Sequence, residues 1–245
     1  MNILPLYPPI AHYLSEARKA VAIAPHRAEV LKSIAEAVVS LSAKNGVAEL
    51  IYICTHNSRR SHMSQLWAQA CSHKYGLGDR VRTWSGGTEA TAFYPRAVKA
   101  MEQAGWLVLD SQGHRLPMHN GYGRPLSIGS RGHVSGRHDN SGYRMGYADA
   151  VPHVLCFSKE FKAAPNPAKD FIAVMTCSDI DEACPLVPGA ALRYSLPYED
   201  PKAYDAHPDA QQYYNERCRH IAVEMDYLFQ SCAEMQATRS TSTHS

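Results

Sequence analysis

No run of the sequence approaches the ~18 consecutive apolar residues that a membrane-spanning helix needs, so the chain offers no candidate span. Net charge is almost absent as well. The formal balance over 245 residues is +2 at pH 7, which removes any general electrostatic reason to expect nucleic acid or a membrane surface as a partner. The opening residues MNILPLYPPIAHYLSEARKA lack the basic region and apolar stretch of a secretory signal; a cytoplasmic location is therefore expected, with cysteines mostly reduced. No two cysteines have CxxC spacing, which excludes a thioredoxin-type pair, and no second close pair exists to build a zinc site. No metal is expected, and no internal repeat is visible. What remains is ordinary for a globular domain: 45% hydrophobic and 20% charged residues, in a chain long enough for one well-cored domain with additions.

The order of elements points to an α/β fold. Residues 26–44 place Val30, Leu31, Ile34, Ala37, Val38 and Leu41 at helical spacing and end on Asn45-Gly46. With a weaker helix over 10–22 they form an expected N-terminal helical extension, residues 1–45. ELIYIC (49–54) is a short apolar run without polar alternation, as expected of a strand buried on both faces of a parallel sheet. A polar loop and a helix over 61–75 follow. Further strands are predicted at 81–84, closed by Ser85-Gly86-Gly87, at 106–109 and at 171–176, with a helix opened by Pro95 and closed by Gly105. Residues 143–148 and 152–157 are expected to pair. A long helix is predicted over 209–232, and the Ser/Thr-rich tail 236–245 is expected to be disordered. Strands alternating with helices predict a small four-stranded parallel sheet flanked by helices, occupying residues 46–235.

Between the first strand and the helix after it stands Cys54-Thr55-His56-Asn57-Ser58-Arg59-Arg60-Ser61. A loop at a helix N-terminus aims several backbone N–H groups at one point, and the helix dipole adds positive potential there. A tetrahedral oxyanion suits such a nest, with contributions from Thr55, His56, Asn57, Ser58, Arg59 and Arg60. Arg60 can close it with a bidentate grip. The same field is expected to lower the pKa of Cys54 from ~8.5 toward the ~3.5–7.5 of activated cysteines, giving a thiolate nucleophile. Ser61 could donate a hydrogen bond to that thiolate. The Cys-x5-Arg spacing alone is a weak signal; its strand–loop–helix setting is the stronger one.

At these residues the chain resembles the low-molecular-weight protein tyrosine phosphatase superfamily, and within it the thioredoxin-coupled arsenate reductases. The resemblance is carried by ICTHNSRRSHMSQLWA (53–68), SGGTEATAFYPRAVKAMEQAGW (85–106), VMTCSDIDEACPLVPGA (174–190) and YEDP (198–201), together about a quarter of the chain. It implies Cys54 as nucleophile, Arg60 as the oxyanion-binding arginine, Asn57 as a brace of the loop, and Asp200 as the acid that protonates the leaving group. From the residues alone, Asp200-Pro201 reads only as a turn. The resemblance also implies a relay. Cys177 would displace arsenite by forming a disulfide with Cys54, Cys184 would take that disulfide over, and thioredoxin would reduce it, with no tightly bound cofactor.

Other readings stand beside this one. Hydrolysis of phosphotyrosine or a small phosphoester through a phosphocysteine would use Cys54, Arg60 and Asp200 and leave Cys177 and Cys184 idle or as redox protection. A non-catalytic oxyanion-binding or redox-sensing protein would bind anions without turnover. Cys71, Cys156, Cys218 and Cys232 lie on apolar faces and read as core. His56 stands where the family often has glycine, and would be strained if that position needs a positive φ. Arg59 is expected to face solvent. Residues 111–150 depart from the compact reductases: they carry Arg115, Arg124, Arg131, Arg137 and Arg144, with eight Gly and no Lys between 113 and 147. A flexible solvated insertion is expected there.

Overall fold

The computed structural model describes residues 3–116, 140–178 and 186–242. Two helices come first, α1 (Pro8–Ala20) and α2 (Pro25–Asn45). Each opens on proline in its first turn, where the missing N–H costs nothing and the fixed φ already suits a helix. Gly46 ends α2 at φ 81°, a left-handed conformation that a side chain would strain. Strand β1 (Ala48–Cys54) leads through the polar loop into α3 (Arg60–Lys74), followed by β2 (Val81–Gly87), α4 (Pro95–Gln103) and β3 (Leu107–Asp110). Then come β4 (Tyr143–Gly146), β5 (Val154–Cys156), β6 (Phe171–Met175) and β7 (Ala190–Ser195). A 3-10 turn (Pro201–Tyr204) and the long α5 (Ala210–Ser242) complete the described chain.

The main sheet has four strands in the order β2-β1-β6-β7, all parallel. The expected small parallel sheet flanked by helices is therefore what the chain forms. Strand β1 is buried along its length except at Glu49, and β6 is buried throughout. Their apolar runs are unbroken because both faces are covered. On one face Leu50 and Tyr52 pack into a core with Leu31, Ile34, Trp67 and Phe229. On the other, Ile51 and Ile53 meet Phe171, Met175 and Cys177. Ile10 and Leu14 of α1 enter the larger core too, so the N-terminal helices pack directly against the sheet-bearing body. No described helix is long and apolar enough to cross a membrane.

Several expectations are corrected. The strand at 106–109 leaves the parallel sheet and joins a second, three-stranded sheet, β3-β4-β5, in which both pairings are antiparallel. The fourth parallel strand is β7, whose AALRYS is partly exposed along its length. As an edge strand it lacks the apolar run that marks β1 and β6. The pairing of 143–148 with 152–157 holds as β4 and β5. Residues 143–147 are thus not part of a loose insertion: Met145 and Tyr147 are buried, and Tyr143 meets Phe93 edge-on. The rest of that expected insertion, 117–139 with Arg124, Arg131 and Arg137, lies outside the described residues. The tail does not turn irregular at 236; α5 continues to Ser242. The Thr238 hydroxyl donates back to the Glu234 carbonyl at 3.0 Å, the i−4 pattern that lets a threonine sit inside a helix.

Candidate active site

The chain leaves β1, adds β2 on one side, and later adds β6 on the other. The carboxyl end of β1 is therefore a topological switch point, the place where open α/β sheets leave a crevice for ligands. Cys54 is its last residue, and the loop 55–59 runs from it into the N-terminus of α3.

The loop is oriented by its carbonyls. The Cys54 carbonyl accepts from Thr88 N at 3.3 Å and that of Thr55 from Glu89 N at 2.9 Å. The His56 carbonyl accepts from Ser158 Oγ at 2.9 Å and Thr91 Oγ1 at 3.1 Å, and that of Ser58 accepts from Tyr94 N at 2.9 Å. All four acceptors are tied to the surrounding scaffold. In a trans peptide the N–H points opposite to the C=O. The N–H groups of Thr55, His56, Asn57 and Arg59 are consequently directed away from that scaffold, toward the inside of the loop. Gly87 makes this possible: a Cβ there would sit 2.6 Å from Thr55 O and 2.7 Å from Asn57 N.

Asn57 carries the strained backbone, at φ 44°, a region asparagine tolerates better than most residues. His56 is not among the described positive-φ residues, so the strain expected of it falls one residue later. The Asn57 side chain is fixed at both ends. Its Oδ1 accepts from Lys159 N at 2.9 Å, which leaves Nδ2 to donate to Ser61 Oγ at 2.9 Å. Ser61 Oγ lies 3.1 Å from Cys54 Sγ. With its oxygen already accepting from Asn57, the Ser61 hydroxyl hydrogen is free for the sulfur. A directed chain results: Asn57 amide to Ser61 hydroxyl to Cys54 sulfur, with the sulfur as acceptor. That polarity suits a thiolate.

Arg60 donates to the Tyr198 carbonyl at 2.9 Å and to Asp200 Oδ2 at 2.7 Å. Its Nε is buried without an acceptor among the described residues, a donor still available to a ligand. Asp200 also caps the 3-10 turn, accepting from Lys202 N at 3.0 Å. Arg59 does not face solvent. Its guanidinium lies 4.2 Å from the Tyr94 ring centroid, donates to Tyr214 Oη at 2.9 Å and pairs with Asp205 at 3.5 Å. Its contribution to the loop is its backbone N–H, and its side chain fastens the far end of the segment whose near end Arg60 holds.

All six described cysteines are buried. Desolvation pushes the Cys71 thiol well above its ordinary range, Cys156 up to about 12, Cys218 up to about 11, and Cys232 upward as well. As expected, these four are core thiols and poor nucleophiles. Cys177 follows β6 and is fully buried, with Sγ 3.5 Å from Thr55 Oγ1. Ile53 pairs with Met175, and Thr176 N continues the pattern to the Ile53 carbonyl at 2.8 Å. Cys177 is thus one residue beyond the position beside Cys54. The same register sets Cys177 beside Thr55, the residue that follows Cys54. Cys184 lies outside the described residues.

The sequence reading missed the scaffold of the loop. Ser158 and the Lys159 amide reach Asn57 and His56 from a segment 102 residues away, and no local pattern announces them. Asn140 locks that segment, accepting from Ser158 N at 2.8 Å. His62, stacked 4.2 Å from Phe93 with Nδ1 3.2 Å from Ser85 Oγ, was likewise unread.

No family model matches the chain. An arsenate reductase of Bacillus licheniformis is 45% identical over 56 residues, covering 23% of this chain and 37% of that protein. The chain is thus matched to little more than a third of this curated relative's length. Among solved structures, a low-molecular-weight phosphotyrosine phosphatase of Vibrio cholerae O395 aligns at TM-score 0.42 and 12% identity over 75% of this chain and 95% of that one. A thioredoxin-dependent arsenate reductase of Corynebacterium glutamicum aligns at TM-score 0.33 and 16% identity, over 86% and 80% respectively. At such scores the structures bear no weight here; the sheet rests on its own register. The curated proteins matched over the 56-residue stretch include arsenate reductases of Bacillus licheniformis and Bacillus subtilis.

Proposed function

We propose that this protein reduces arsenate through a relay of three thiols. Cys54 attacks the arsenic of arsenate, held by the inward N–H groups of residues 55–59 and by Arg60, and a protonated oxygen leaves as water. Asp200 supplies the proton to that oxygen. Cys177 then attacks the Cys54 sulfur, and the As–S electron pair stays with arsenic. Two thiols become a disulfide while arsenic falls by two electrons to arsenite. Cys184 next attacks Cys177, freeing Cys54, and thioredoxin reduces the Cys177–Cys184 disulfide. The observation that carries the reading is the buried Cys177 sulfur beside Thr55, 3.5 Å from its hydroxyl. Hydrolysis itself would leave this thiol idle or use it only to protect the nucleophile from oxidation, whereas the relay requires it.

A coupled assay with arsenate, thioredoxin, thioredoxin reductase and NADPH tests this. Cys177→Ser should abolish arsenate turnover, whereas aryl phosphate hydrolysis, which needs only Cys54, Arg60 and Asp200, should survive. Undiminished arsenate turnover in that variant sinks the relay. The second reading, phosphoester hydrolysis, draws on Asp200 at 2.7 Å from Arg60, a carboxyl available to protonate an alkoxide. It prevails if wild-type protein hydrolyses aryl phosphates and leaves arsenate unreduced.

A further inference from the structure

We infer that Arg27, on the first turn of α2, is a positioning residue for the segment that carries Asp200. The inference rests on the reading of Asp200 as the acid of this site. Arg27 lies outside the sheet-bearing body in sequence, yet two contacts tie it to this segment and two more to Glu224, which Tyr198 also binds. Its guanidinium grips the Glu224 carboxylate of α5 through Nε and through NH2, the latter at 2.7 Å. It donates to the Pro197 carbonyl at 3.0 Å, and its plane lies 4.9 Å from the Tyr198 ring centroid. Tyr198 closes the circuit by donating its hydroxyl to Glu224 Oε2 at 2.7 Å.

Tyr198 faces both ways. Its side chain belongs to this buried cluster, and its carbonyl receives Arg60 NH1 at 2.9 Å, two residues before Asp200. Its phenol is held protonated by burial and then by the Glu224 charge, both of which raise its pKa, so it remains a donor. The near end of the acid segment is therefore clamped between Arg60 of the oxyanion loop and Arg27 of the N-terminal helix pair. Nothing else in the cluster can replace the fork: Glu224 is buried, and without Arg27 its charge would stand opposite one hydroxyl. A carboxylate left in that state reorganises its surroundings or draws in water.

The full-length chain carries the test. Arg27→Met, Arg27→Lys and Tyr198→Phe are compared with wild type by amide exchange and by steady-state kinetics on phenyl phosphate and p-nitrophenyl phosphate. The two esters differ in how much their leaving group needs a proton. For Arg27→Met, exchange should quicken at 197–201 and stay unchanged at 50–61. Its kcat on phenyl phosphate should fall on the order of 10- to 100-fold, the scale of a small misplacement of a reacting group. The fall on p-nitrophenyl phosphate should be smaller, with KM nearly constant. Arg27→Lys should recover part of the loss. Tyr198→Phe, which deletes one hydroxyl, gives the same pattern more weakly and stands in if the methionine variant does not fold. Unaltered exchange at 197–201 overturns the proposal, as does an equal loss on both esters. Asp200→Asn is the separate control. If it spares phenyl phosphate turnover, the reading of Asp200 as acid fails, while exchange still decides whether Arg27 holds the segment.

Discussion

Arg60 and Asp200 face each other across the mouth of the loop, guanidinium to carboxylate at 2.7 Å. The Asp200 side chain keeps 30% of its exposure and that of Arg60 only 8%, so the partner open to solvent is the acid. An incoming oxyanion and Asp200 compete for the same cation. Asp200→Asn should therefore bind inorganic phosphate more tightly, by roughly threefold to tenfold, the scale of losing one competing charge at a partly exposed pair. The same variant should lose on the order of 100-fold in turnover of an ester that needs leaving-group protonation. Phosphate inhibition constants and kcat, measured together, check the two opposed effects. Weaker phosphate binding in the variant would mean that Asp200 assists the anion rather than competing with it.

The Asn57–Ser61–Cys54 chain makes a second prediction. Ser61→Ala removes the donor to the sulfur and leaves the Asn57 amide without its acceptor. A hydrogen bond to a charged group contributes about 1.5–3 kcal/mol, so kcat should fall roughly tenfold to a hundredfold. Alkylation of Cys54 by iodoacetamide at neutral pH should slow in the same variant, read as mass added to the peptide holding residue 54. Asn57→Asp should be the harsher change. Its carboxylate would meet the Lys159 N–H favourably but point its other oxygen at the Ser61 lone pairs and turn that hydroxyl away from the sulfur. An alkylation rate equal to wild type in both variants would remove the chain from the mechanism.

Stability should depend on pH through buried histidines. His62 is fully buried, and its pKa is pushed well below the ordinary value, first by desolvation and then by the nearby Lys159 charge. Desolvation also lowers His73 and His220. In the unfolded chain each binds a proton near pH 6.5; in the folded chain each resists it. The unfolded state therefore binds more protons in this window, and stability rises with pH. It should be fully present above about pH 7 and decline as pH falls below about 6.5. Urea midpoints from pH 8 to pH 5 should trace that limb, and His62→Gln should flatten it. A limb of unchanged slope in His62→Gln would show that His62 takes up its proton without unfolding.

How far the sequence could be read depended on how local each signal was. β1 and β6 were legible because burial on both faces leaves an unbroken apolar run, and Cys54 to Ser61 because a nucleophile, an arginine and a helix start lie within a few residues. β7 was not, since an edge strand with Arg193 and Tyr194 has no such run. The place of 106–109 was also hidden: a strand's own residues do not state which partner it takes, and its partner β4 follows a long interval. Arg59 was misread because its neighbours Tyr214 and Asp205 come from the far end of the chain, where only the fold brings an aromatic ring and a carboxylate to its guanidinium. The place of Cys177 beside Thr55 was not legible either, because it follows from the β1–β6 register, which no local pattern states.

Gly87 joins these levels, and its substitution is the sharpest test of them. It ends β2 paired with Cys54, and its N–H donates to the Lys159 carbonyl at 2.9 Å, so it touches both the nucleophile strand and the segment that braces Asn57. A methyl group there would press on the Thr55 carbonyl at 2.6 Å and the Asn57 nitrogen at 2.7 Å, both backbone atoms, which cannot swing aside as a side-chain tip can. Gly87→Ala should cost about 1–3 kcal/mol in overpacking, seen as a lower thermal midpoint. Most of the displacement should fall on the loop, because β1 is held between β2 and β6 along its length and the loop lies beyond the end of that ladder. Oxyanion affinity should then drop more than tenfold, a factor worth about 1.4 kcal/mol, while Gly46→Ala, whose added Cβ meets nothing within 4 Å, should lower the midpoint through its strained φ alone and leave phosphate binding as in wild type. Equal phosphate affinities in Gly87→Ala and wild type would mean that the loop's inward N–H groups do not depend on the close approach of β2.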